Sequence, residues 1–369
     1  MRSSRLTRLR ADAAAAGIDA FVVTHPANLR YLTGLKASAG AVVVTTERCV
    51  LVVDFRYVTA ARQLAAEHPE LSVFPVTAID QGIADVVRGS QALRIGVEGA
   101  YLPVARYNQL SRLLASDGDM AATSEQSQPI LIPTERIIER ARAVKDESEI
   151  AILREAARRI SAVAREAPDL VRVGQTEQQT AALVESALRA AGFEAFAFET
   201  IVASGPNAAL PHARPTARMI AEGDGVVLDF GGVYDGYCVD LTRTLRVGQT
   251  SAEFCRLFDA VAEAHGAALA AVKPGSSAVD VDRAARGVLE RHGLGEAFGH
   301  GTGHGLGLEV HEEPRISQTA SAAEMLVPGM VFTIEPGAYV PGIGGVRIED
   351  DVLVVPGGCE VLTEVPIRL

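Results

Sequence analysis

The dipeptide Asp235-Gly236 stands between two apolar stretches, Gly225 to Gly232 and Tyr237 to Val247, and this arrangement constrains the chain more than any other. An Asp-Gly pair supplies the left-handed residues of a two-residue turn, so the stretches read as the arms of a β-hairpin. If Tyr234 pairs with Tyr237, Asp229 falls opposite Thr242. Asp240 lies two residues from that partner, hence on the same face as Asp229 and diagonally adjacent to it. One hairpin thus carries two carboxylates on one side. Asp229 sits within Val226-Val-Leu-Asp-Phe-Gly, where an uncompensated acid would be costly or would stay protonated. A positive group belongs beside it, and an ion pair with a neighbouring base such as Arg243 competes with a metal ion for that role.

A weak internal repeat extends the argument. Val171-Arg-Val-Gly-Gln-Thr176 precedes a helix ending at Gly192, and Val272-Lys-Pro-Gly-Ser-Ser277 precedes one ending at Gly293. The pairs Gly174/Gly275, Thr176/Ser277 and Gly192/Gly293 keep one constant offset. Thr176 and Ser277 read as helix caps, with Gln179 and Asp280 three residues on, and each closing glycine supplies a left-handed turn. Each half then runs into strands with two acids. In the second half Val331 to Glu335 and Gly345 to Val355 read as strands that end at or contain Glu335 and Glu349, separated by the glycine-rich turn Pro341 to Gly345. Arginines would have to neutralise four such acids one by one, whereas a pair of divalent cations does so together.

A length of 369 residues exceeds what a single core usually serves, so two domains are expected. Residues 3 to 16 read as an amphipathic helix ended by Gly17. From Ile18 to about Leu131, strands (Ala20 to Thr24, Ala41 to Thr46, Cys49 to Asp54) alternate with alanine-rich helices (Val58 to Glu67, Val104 to Ala115), which is α/β character. The polar stretch from Met120 to Pro133 carries two prolines and marks the boundary, giving domains at 1–133 and 134–369. Asp146 then opens a long helix, with Glu149 placed to return the capping bond.

The net charge of −11 argues against nucleic acid as a partner. The four cysteines form no Cys-x-x-Cys pair, which indicates neither a zinc ribbon nor a disulfide framework and fits a cytoplasmic protein. Asp12 and Asp19 interrupt the apolar N-terminal run, and no stretch of about 18 apolar residues follows, so neither a signal peptide nor a membrane partner is expected.

Three of the eight histidines fall in Phe298-Gly-His-Gly-Thr-Gly-His-Gly-Leu-Gly-Leu-Glu-Val-His311. The spacing makes neither G-x-G-x-x-G nor a Walker loop, and His-Glu-Glu-Pro-Arg at 311 to 315 is not the helical His-Glu-x-x-His of zinc peptidases. Histidines clustered among glycines instead suggest a site that a ligand or metal approaches closely.

Five blocks carry a resemblance: Leu228-Asp-Phe-Gly, Asp240-Leu-Thr-Arg-Thr, Gly303-His-Gly-Leu-Gly-Leu-Glu-Val-His-Glu, Thr333-Ile-Glu-Pro-Gly and Gly345-Val-Arg-Ile-Glu-Asp. With Asn28-Leu-Arg-Tyr-Leu-Thr-Gly, Val53-Asp-Phe-Arg-Tyr and Ala143-Val-Lys-Asp-Glu-Ser-Glu-Ile, they extend it over nearly the whole chain. The sequence resembles the M24 metallopeptidases of the aminopeptidase P and prolidase type. The resemblance implies a creatinase-N-terminal-like α/β domain followed by an α+β pita-bread catalytic domain.

It further implies two divalent metal ions, manganese first with cobalt or zinc as alternatives, held by Asp229, Asp240, His304, Glu335 and Glu349. Glu335 would also move the proton in catalysis. His212, in Leu210-Pro-His-Ala-Arg-Pro, and His311 would be catalytic and substrate-binding, with His300 and Arg347 supporting the substrate side. The implied activity is hydrolysis of the bond before proline in short peptides by a homodimer. An Xaa-Pro dipeptidase is favoured on the compact length, with an Xaa-Pro aminopeptidase as the alternative. A creatinase-like hydrolase or a non-catalytic peptide-binding relative is expected to lack several ligands, and this chain keeps all five.

Overall fold

A computed structural model describes residues 2–115, 128–321 and 323–369. The chain divides into two compact units, Met1–Arg142 and Ala143–Leu369. Much of the stretch expected to hold the boundary, Met120 to Pro133, lies outside the described residues. Its described end belongs to the first unit, because the strand Ile130–Thr134 pairs in parallel with Arg94–Glu98.

In the first unit the described residues form a six-stranded sheet, in the order Leu71–Pro75, Cys49–Val53, Ala41–Thr45, Ala20–Val23, Arg94–Glu98, Ile130–Thr134. The β-branched runs Ala41–Thr45 and Cys49–Val53 are buried throughout, as expected of strands covered on both faces. Three of these strands and the helices Val58–Glu67 and Val104–Ala115 stand where the sequence places them.

The second unit is built on the repeat. Thr176 caps the helix Glu177–Ala190 in a full capping box with Gln179, and Ser277 caps Ala278–Arg291 through the backbone N–H of Asp280. Gly192 and Gly293 close those helices at φ 89° and 71°. Thr176 bridges to Met219 and Ser277 to Met325, so the halves agree in tertiary contact as well as in sequence. Asp146 and Glu149 form the expected capping box on the helix Glu147–Leu170.

The hairpin Gly225–Tyr234 and Tyr237–Arg246 has the expected register, with Tyr234 opposite Tyr237 and Asp229 opposite Thr242. Its turn takes Asp235 and Gly236 to φ 42° and 70°. Strand alternation then divides its side chains between two faces. Val226, Leu228 and Phe230, with Tyr237, Val239 and Leu241, pack into a core with Leu153, Ile160 and Val163 of the long helix. Asp229, Asp240 and Thr242 leave by the other face. A second core joins Phe258, Val261, Val281 and Val288 to Phe332, Ile334, Val346 and Val352.

The second pair of strands differs from expectation. Gly345 to Val355 is not continuous: Val331–Ile334 pairs with Asp350–Val355, and a separate ribbon pairs Gly337–Val340 with Gly344–Arg347. Glu335 and Glu349 occupy the break between these two ladders. Pro336 has no N–H to give to a ladder there. The N–H groups of both glutamates turn elsewhere, Glu335 to Thr302 O at 2.7 Å and Glu349 to Thr242 O at 3.0 Å. The break thus ties both glutamates to the histidine segment and the hairpin.

Candidate metal centre

His304 lies between two glycines because two other strands leave no room for side chains there. A Cβ on Gly303 would stand 1.8 Å from Thr333 O, and one on Gly305 would stand 2.1 Å from Glu313 O. The His304 N–H donates to Thr333 Oγ1 at 3.1 Å. Its ring donates from Nδ1 to Gly305 O at 3.1 Å, which leaves the Nε2 lone pair free. Nε2 faces Asp240 Oδ2 at 3.8 Å and Glu335 Oε1 at 3.7 Å. Burial and the neighbouring His311 push the His304 pKa down to about 4, so the ring is neutral. A neutral nitrogen lone pair aimed at two carboxylates is repulsive unless a cation or proton lies between them.

The carboxylates report the same need. Burial raises Glu335 to about 7, with Arg347 acting partly against it. Asp240 and Glu349 are pushed well above the ordinary carboxylate range, by burial first and by neighbouring carboxylates second. Oδ1 of Asp229 and Oδ1 of Asp240 are buried without a hydrogen-bond partner. Single ligand atoms of Asp240, His304 and Glu349 all lie within 4.8 Å of one another. Among the described residues the cation found against this cluster is Arg347, whose Nη2 contacts Asp229 Oδ2. The remaining negative charge, the two orphaned oxygens and the mixed oxygen and nitrogen donors fit a pair of divalent cations.

A second convergence of such groups, His25, Glu98 and Glu139, lies in the first unit. There N–H groups already occupy the acids: Glu98 accepts from Thr24 N, His25 N and Asn28 Nδ2, and Glu139 accepts from Asn28 Nδ2.

Arg243, the alternative partner for Asp229, points away from it. Its position is one residue beyond the partner of Asp229, so it leaves by the core face, where Nη2 binds Asp350 Oδ1 at 2.7 Å. Nη1 of the same guanidinium donates to Glu349 O, which holds that glutamate from behind.

The histidines expected on the substrate side occupy different settings. His311 is exposed, and its ring centroid lies 4.3 Å from that of His304. His212 is exposed on a loop whose Pro211 O accepts from Arg347 Nη1 at 3.1 Å. His300 is committed at both nitrogens: Nδ1 bonds Gly301 O at 2.8 Å and Nε2 bonds Tyr339 Oη at 3.0 Å. Burial lowers its pKa to about 4. Tyr339 Oη also accepts from Arg347 Nη1 at 2.7 Å, so His300 reaches Asp229 through Tyr339 and Arg347.

Sequence reasoning passed over Tyr339, Thr242 and Asp351. Thr242 donates to Glu349 Oε2 at 2.5 Å and accepts from Arg347 Nε at 3.2 Å; its place opposite Asp229 was the signal available. Asp351 accepts from Asp240 N at 3.1 Å. Nothing in the sequence separates Tyr339 from an ordinary strand aromatic.

Comparison with known proteins agrees with this geometry. Residues 151–356 match the model of metallopeptidase family M24, and residues 5–144 match the creatinase/prolidase N-terminal domain. The chain is 34% identical over 351 residues to the Xaa-Pro dipeptidase of Pyrococcus furiosus, covering 94% of each. It superposes on an Xaa-Pro dipeptidase from Bacillus anthracis with TM-score 0.91 and 34% identity over 100% of both chains. An X-Pro aminopeptidase from Thermotoga maritima matches with TM-score 0.84 and 32% identity, over 97% of this chain and 99% of that one. Full-length similarity and the converging cluster of candidate ligands agree: the chain belongs to metallopeptidase family M24, with a creatinase/prolidase N-terminal domain followed by the pita-bread catalytic domain.

Proposed function

We propose that this chain hydrolyses the bond before proline in short peptides, acting foremost as an Xaa-Pro dipeptidase. The observation that carries the reading is the cluster Asp229, Asp240, His304, Glu335 and Glu349, whose four acids and one imidazole meet a single cation, Arg347, among the described residues and leave two buried oxygens without a hydrogen-bond partner. These five residues would hold the two metal ions. When bound, divalent cations supply Lewis-acid charge for polarising a carbonyl and acidifying a nucleophilic water.

The protein's own groups would do the rest. Glu335, at the break between two ladders, would take the proton from the attacking water and return it to the leaving amine. His212 and His311, exposed beside the cluster, would stabilise the oxyanion or orient the peptide. Arg347 fixes Asp229 through its guanidinium, and Tyr339 and Thr242 fix Arg347. A prolyl bond is a tertiary amide without an N–H, so a site shaped for it need supply no acceptor at that atom.

Manganese is the first assignment for the metal, and a cytoplasmic homodimer is the expected form. Both kinds of activity occur among the full-length relatives, and the compact length favours the dipeptidase. The test is a comparison of Xaa-Pro dipeptides, Xaa-Pro-Yaa tripeptides and Ala-Ala with the manganese-loaded enzyme. Preference for the dipeptide supports the reading. Preference for the tripeptide makes the chain an aminopeptidase, and equal turnover of Ala-Ala and Ala-Pro removes the proline specificity.

A further inference from the structure

Glu177 is the first residue of the helix Glu177–Ala190 and is fully buried, an unusual place for an acid at a helix start. The helix does not need it as a cap, since Thr176 and Gln179 already close the capping box. Its carboxylate instead gathers one loop. Oε1 accepts from Ser204 N at 2.7 Å, Ser204 Oγ at 2.7 Å and Asn207 Nδ2 at 3.1 Å. Oε2 accepts from Thr216 N at 2.9 Å, Thr216 Oγ1 at 2.6 Å and Asn207 Nδ2 at 3.1 Å. Burial would raise its pKa, and these hydrogen bonds from Thr216 and Ser204 more than offset that, so the group stays charged. Both ends of the segment 204–216 therefore converge on one carboxylate. His212 rides between those ends, and the adjacent Pro211 O is held by Arg347.

We propose that Glu177 is a positioning residue for hydrolysis, holding the loop 204–216 so that His212 faces the substrate, and acting through His212 rather than through the metal ions. The inference rests on the reading of His212 as substrate-facing. Loops that carry functional groups gain precision from such buried supports, and a misplacement of about 1 Å can cost a rate factor of about 100.

The experiment is a double-mutant cycle on the manganese-loaded enzyme: Glu177→Gln, His212→Ala and the double variant, each measured for metal content and for kcat/KM on an Xaa-Pro dipeptide. Glutamine keeps one acceptor but turns an amide towards the donors of either Ser204 or Thr216. Glu177→Gln is expected to keep its metal, to lose roughly 10- to 100-fold in kcat/KM, and to cause no further loss in the His212→Ala background. Thr216→Val, at an exposed residue, removes one of the six contacts and should show the same dependence on His212 at smaller size, even if Glu177→Gln fails to fold. An equal loss with and without His212 overturns the role of Glu177 while leaving that of His212 intact. Loss of metal in Glu177→Gln, or full activity of both loop variants, also overturns it. A fully active His212→Ala would remove the reading of His212 and the inference with it.

Discussion

At the scale of single residues, the centre is governed by what each acid finds beside it. Arg347 contacts Asp229, whereas Asp240, Glu335 and Glu349 face mainly one another and the lone pair of His304. Removing His304 should therefore remove metal and activity together. His212→Ala and His311→Ala should keep near-normal metal content while kcat/KM falls by about 10²- to 10³-fold, the loss of one transition-state donor. Metal analysis and kinetics on identically prepared variants check this division, and loss of metal from His212→Ala would break it. The raised carboxyls also set a pH dependence. Glu335 moves from 4.5 to about 7, so the metal-free folded chain holds a proton that the unfolded chain has released, and stability falls as pH rises through that interval. His300 and His304, lowered from 6.5 to about 4, act in the opposite sense, adding stability as pH rises across their interval. Above about pH 6.5 the effect of these two histidines ends, while that of the carboxyls raised furthest, Asp240 and Glu349, continues. The metal-free protein should therefore melt at a lower temperature at about pH 8 than at about pH 6.5, and divalent metal should abolish the difference. A melting temperature that rises over that interval without metal would contradict this.

At the scale of elements, much of the centre follows from strand parity. The Asp-Gly turn fixed the register, the register put Asp229 and Asp240 on one face, and the structure has that pairing. The same count, carried one residue further, sends Arg243 to the core face, so Arg243 was excluded as the partner of Asp229 from the hairpin alone, whereas the arginine that does pair with it, Arg347, comes from the later ribbon. Glu335 and Glu349 were legible as acids in apolar strands. Their position in a break was not, because the break depends on two ladders meeting, Val331–Ile334 with Asp350–Val355 and Gly337–Val340 with Gly344–Arg347. Tyr339 escaped for the same reason: its bonds to His300 and Arg347 arise only once that ribbon has formed. The helix caps at Asp146, Thr176 and Ser277, being local chemistry, were readable, whereas the cap at Ser251 was passed over. Ser277→Ala should cost about 1 kcal/mol of stability, seen as a lower denaturant midpoint at unchanged slope, with metal content intact. An unchanged midpoint would mean that the cap contributes nothing.

At the scale of the whole molecule, two repeat-related halves each supply a pair of acids, the first on the strands of a hairpin and the second at a break between two ladders, and the centre is completed where they meet. Asp229 and Asp240 come from the first half, Glu335, Glu349 and His304 from the second, and the Glu349 N–H to Thr242 O bond of 3.0 Å joins the two. The first unit carries no part of this candidate ligand set, which lies wholly within Ala143–Leu369. No helix among the described residues is long and apolar enough to cross a membrane. The central claim is that this arrangement is a two-metal hydrolytic centre selective for the bond before proline. Its most direct measurement is the rate of Ala-Pro hydrolysis by protein stripped of metal and titrated with manganese. The account predicts no hydrolysis in the stripped protein and a rate that rises with added manganese to a plateau near two equivalents per chain. Full activity in a verified metal-free sample would contradict it.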